Sequence, residues 1–75
     1  MRAPILAALL LPALPAAAQT EGDRELAQRH FQTGQAYYDR GEFEAAIREF
    51  SASYAILPLP ELQYNIARAH EGLAR

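Results

Sequence analysis

The 75-residue sequence contains no cysteine, and all of its seven Lys+Arg positions are arginine. Without cysteine there can be no disulfide, although small exported domains often depend on them. A bacterial lipid anchor, which needs a cysteine just after the leader, is excluded too. Scattered arginines, no lysine and a formal net charge of −2 leave no clustered positive charge for nucleic acid or an anionic membrane surface. Histidine occurs only at His30 and His70, without the H-x₃-H or H-E-x-x-H spacing of a zinc site. Ser51 and Ser53 lack a G-x-S-x-G elbow and a nearby histidine, and no glycine-rich phosphate loop occurs. Glu42, Glu44 and Glu49 fall among arginines, and Glu44 four residues before Arg48 is the spacing of a helix-surface ion pair. The two histidines and Ser53 read as packing positions between helices, and Ser51 as surface. The expectation is therefore no enzyme, no metal and no cofactor.

The apolar run from Ile5 to Leu14 is too short for the roughly 20 residues that span a bilayer, and Pro12 and Pro15 interrupt it. Arg2 before it and Ala16-Ala17-Ala18 after it complete the pattern of a secretory signal peptide. Residues 1–18 are expected to be removed near Ala18, leaving a soluble, unanchored chain in the periplasm or outside the cell. The polar segment 19–25 follows, in which Thr20 or Asp23 can cap a helix.

Three apolar stripes with helical spacing come next. The first is Leu26, His30, Thr33/Gly34 and Tyr37. The second is Phe43, Ala46/Ile47, Phe50, Ser53/Tyr54 and Leu57. The third is Leu62, Ile66, Ala69 and Leu73. None alternates as a strand would. Arg40-Gly41 separates the first from the second, because glycine tolerates a left-handed helix end. Pro58-Leu59-Pro60 ends the second, and Pro60 can open the third at the position where a missing N–H costs nothing. The spacing predicts an all-α domain over residues 26–75.

A shift of 33 places Phe31-Gln32-Thr33-Gly34-Gln35-Ala36-Tyr37 over Tyr64-Asn65-Ile66-Ala67-Arg68-Ala69-His70, matching aromatic, amide and small residues. Two helices per unit and a period in the thirties mark a helical solenoid. The stretch resembles the tetratricopeptide repeat, a helix-turn-helix unit of 34 residues. The residues carrying the resemblance are the small Gly34 and Ala46, the aromatics Tyr37, Phe43 and Phe50, the turn residue Gly41, and Pro58. Ser53 stands where the family usually has alanine, and His30 where it has a large residue. The resemblance covers about one and a half repeats.

That resemblance implies close approach of two helices at Gly34 and Ala46, with Tyr37, Phe43 and Phe50 filling the space between them. It also implies a concave groove lined by the first helix of each unit. On this chain the groove residues would be Phe31, Gln35, Tyr38, Tyr64, Asn65 and Arg68. The implied function is an exported, non-catalytic scaffold that binds a protein or peptide. Two alternatives stay open: the start of a longer repeat protein with another domain downstream, and a self-assembling homo-oligomer. With one and a half repeats, Ile66, Ala69 and Leu73 are expected to stay partly uncovered and the fold to be marginal alone.

Overall fold

A computed structural model describes residues 20–75. The expected signal peptide, residues 1–18, lies outside the described residues. Three helices and no strand are present among those described: α1 (Glu21–Asp39), α2 (Phe43–Ile56) and α3 (Pro60–Ala74). The all-α expectation holds.

Each boundary has a local cause. Thr20 caps α1: its hydroxyl accepts from the Asp23 amide at 3.0 Å, and its own amide donates to Asp23 Oδ2 at 3.1 Å. This reciprocal box satisfies two amides that the first turn would leave unpaired. Glu21 and Asp23 add negative charge at the positive end of the helix dipole. Residues 21–25, expected in a polar lead-in, are thus the first turn of α1. The helix stops at Arg40-Gly41, where Gly41 takes φ +77°. There the Gly41 amide donates to Tyr38 O and the Glu42 amide to Tyr37 O, each at 2.9 Å. At the far end of α2, Leu57 turns extended ahead of Pro58. Pro60 is the first residue of α3.

α2 packs against both α1 and α3. Its buried residues Ala46, Phe50 and Ser53 face inward, and Ala46 and Phe50 join Leu62 and Ala69 of α3 in one core. Full burial of Phe50, 1% exposed, is worth about 1.5–3 kcal/mol by itself.

Two stripes differ from expectation. In α1 the inward residues are Ala27 and Gly34, whereas Leu26 is 41% exposed and Thr33 faces solvent. Gly34 and the half-buried His30 and Tyr37 keep their expected places, and Ala27 alone takes the place of Leu26. A methyl group on Gly34 would sit 2.7 Å from the Phe50 ring. In α3 Ala69 is completely covered, against the expectation that it stays partly uncovered, while half-buried Ile66 and 46%-exposed Leu73 are partly uncovered as expected. Gly72 takes the inward place at that end, directly under the Phe43 ring.

The 33-residue shift pairs Gly34 with Ala67 and Ala36 with Ala69, yet Ala36 and Ala67 are both exposed. The inward pairs are Ala27 with Leu62 and Gly34 with Ala69. The inward residues of α1 and α3 thus stand 35 apart, not 33, with Phe43 and Phe50 of α2 meeting both helices.

Candidate functional site

α1 and α3 flank a groove whose floor is α2. It has two compartments that meet where the Phe31 and Phe50 rings pack at 5.9 Å. The first is a cavity of about 210 Å³ at the amino-terminal ends of α1 and α3. Phe31, Leu57, Leu59 and Leu62 give it apolar walls, with Arg24, Gln28 and Glu61 also lining it. The second, about 130 Å³, is lined by Gln35, Tyr38, Phe50, Asn65 and Arg68. Its character is polar and cationic.

The wall positions follow from helix periodicity. Phe31, Gln35 and Tyr38 recur at four- and three-residue steps on α1, and Leu62, Asn65 and Arg68 at three-residue steps on α3. Each set forms one stripe beside the stripe that packs on α2, with Leu62 belonging to both. Four of the six groove residues expected from the resemblance, Gln35, Tyr38, Asn65 and Arg68, come together around the second compartment. Phe31 belongs to the first, and Tyr64 stands on the rim at 61% exposure.

Phe31 and Tyr38 are more than lining. Both are half-buried; Phe31 packs on Phe50, and Tyr38 meets Phe43 edge-on with centroids 5.2 Å apart. Arg68 places its guanidinium 5.7 Å from the centroids of both Tyr38 and Tyr64. The Tyr64 side chain chiefly, then Tyr38, raises its pKa above the ordinary arginine value, which already keeps a guanidinium charged. Among the described residues no carboxylate lies within 4 Å of it. The Gln35 amide donates to Asp39 Oδ1 at 3.1 Å, which orients the Gln35 head along α1.

Several polar contacts had no signal in the spacing. Ser53, expected at a helix interface, is buried there and donates to Ala27 O at 2.8 Å. His30 and Glu49 join α1 to α2 at 2.8 Å, both partly buried. His70, by contrast, is exposed rather than packed, because α3 turns Ala69 and Gly72 toward α2. The expected Glu44–Arg48 pair is not formed. Arg40 instead bonds Glu42, which raises the arginine's pKa, and covers the Tyr37 ring at 5.0 Å. Leu57 and Leu59 wall the groove from the connection around Pro58, which periodicity does not reach.

Among the described residues no group of three or more His, Asp or Glu is placed to hold a metal ion, and no helix is long and apolar enough to cross a membrane. Compared with known proteins, the chain matches no family model, and no curated protein or solved structure shows significant similarity to it.

Proposed function

We propose that the chain is an exported, non-catalytic helical module, built like the start of a tetratricopeptide solenoid, that binds a protein or peptide along the groove between α1 and α3. The observation that carries this reading is the second compartment. There a permanently charged Arg68, held beside two tyrosine rings, faces Gln35 and Asn65 without a carboxylate of its own. Aromatic rings supply contact area, amides pair with a peptide backbone, and a guanidinium takes an acidic group. The leader-like residues 1–18 support export. The test is nuclear magnetic resonance of the isotopically labelled protein with a pool of mixed-sequence peptides. Shifts confined to amides of the groove, among them Phe31, Gln35, Tyr38, Leu62, Asn65 and Arg68, support the reading; shifts elsewhere, or none, refute it.

A second reading, that these helices open a longer repeat array, draws on Leu73. It is 46% exposed and stands on the opposite side of α3 from Tyr64, where a further helix would pack.

A further inference from the structure

The two compartments differ in chemistry, and that difference defines a ligand more narrowly than a peptide groove does. We propose that the groove selects an extended segment carrying an apolar side chain and, about three residues away, an aspartate or glutamate side chain. This inference rests on the peptide-binding reading and specifies its ligand.

The apolar half is Phe31, Leu57, Leu59 and Leu62, a cavity of about 210 Å³ that takes a branched aliphatic or aromatic side chain. The acid-binding half is set by Arg68, whose guanidinium has no carboxylate partner among the described residues and is flanked by Tyr38 and Tyr64. Flanking rings hold the planar fork in place, so less freedom is lost when it grips a carboxylate. Charge complementarity fixes the direction. Arg24 and Glu61 both line the apolar half, and Arg24 already meets Glu21 at 3.9 Å, so no cation is left over there, whereas Arg68 is the one charged residue lining the other half.

The spacing comes from helix geometry. Leu62 and Arg68 are six residues apart on α3, about 9 Å at 1.5 Å per residue, and Phe31 and Tyr38 on α1 are about 10 Å apart. A chain in the extended polyproline II conformation advances about 3.1 Å per residue with three residues per turn, so residues three apart cover that span and turn their side chains to the same side.

The test is fluorescence anisotropy with the purified protein and labelled peptides of Gly/Ser background, amidated at the carboxyl end. One carries Leu and, three residues later, Glu. Controls replace Glu by Gln, replace Leu by Ser, or place Leu and Glu side by side. The Leu-x-x-Glu peptide should bind about fivefold or more tighter than the Gln control, and the gap should shrink at high salt. Arg68→Gln should abolish that gap while circular dichroism stays unchanged, since Arg68 is exposed. Leu59→Ser, also at an exposed position, should remove the preference for Leu. Equal binding of the Glu and Gln peptides, or of the adjacent-residue control, overturns the inference and leaves the groove reading standing. Binding of none of these peptides, with no groove shifts from the mixed pool, overturns both.

Discussion

The interface between α1 and α2 and the one between α2 and α3 use the same device, a glycine set under a phenylalanine ring. Gly34 lies against Phe50, and Gly72 lies against Phe43. The surroundings differ. The first interface also has the tight Gly41 turn, the buried Ser53 bond to Ala27 O and the His30–Glu49 contact. The second has the apolar burial of Leu62 and Ala69 and one exposed bond, Gln63 Nε2 to the Tyr54 hydroxyl at 2.8 Å. Directional bonds fix the register of α1 on α2. Shape and one exposed hydrogen bond place α3. The groove walls therefore have unequal rigidity: α1 is the fixed wall and α3 the adaptable one.

The largest test of that difference is Gly34→Leu. Even a methyl group there would lie 2.7 and 2.8 Å from two carbons of Phe50, a ring that is fully buried and has nowhere to retreat. The helices must separate, and overpacking of this kind costs about 1–3 kcal/mol or somewhat more. Thermal unfolding should shift down by several degrees with the whole transition affected. An unchanged melting temperature would show that α1 is not pinned at Gly34.

Gly72→Leu meets an equally short distance, 2.6 Å to Phe43, but near the end of α3. The helix can answer by fraying its last turn, so the loss should be local and smaller, about 1 kcal/mol. Hydrogen exchange should quicken in residues 69–74 while α1 and α2 keep their protection. If all three helices lose protection together, α3 is as firmly held as α1 and the proposed inequality of the walls is wrong.

These two glycines also mark how far the sequence could be read. Gly34 stood out because glycine inside an apolar helical stripe needs a packing reason, and Gly41 because it breaks two stripes. The helices themselves were legible from 3.6-residue spacing and from Pro60 and Thr20 at their starts. Gly72 was hidden beside Leu73, whose larger side chain suited the stripe better, although shape at Phe43 chooses the smaller residue. In the same way Ala27 takes the place of its larger neighbour Leu26 on α1. Of the groove, the helix-borne half was legible, since Gln35, Tyr38, Asn65 and Arg68 follow helical steps. The apolar half, built partly from Leu57 and Leu59 around Pro58, depends on how the connection lies across the ends of α1 and α3. Tyr38, expected only as a groove residue, also meets Phe43 edge-on and so ties groove and core together.

Ser53→Ala sharpens the comparison at the polar tie. Alanine is the residue the repeat pattern favours there, and Ser53 is 2% exposed. The substitution removes the bond to Ala27 O and little volume, so it should cost about 0.5–1.5 kcal/mol. Chemical denaturation should show a lower midpoint with the same slope. A gain in stability would mean that the hydroxyl contributes nothing to holding α1 in register.

The smallest expected effect separates two glutamates of α2. Glu49 meets His30 across the helix interface at 2.8 Å with 28% of its side chain exposed, whereas Glu44 has no ion pair among the described residues. Glu49→Gln keeps the shape and an acceptor oxygen but removes the charge. It should cost less than about 1 kcal/mol, since a half-exposed pair is screened by water and by salt. Glu44→Gln should change stability by less than about 0.5 kcal/mol, the range of exposed sites without a partner. The informative quantity is the difference between the two, measured by denaturation at low and at high salt. If Glu49 matters as a tie between α1 and α2, its cost should exceed that of Glu44 at low salt and converge toward it as salt rises. Equal costs at both salts would leave Ser53 and the Gly41 turn as the polar features that distinguish the first interface from the second.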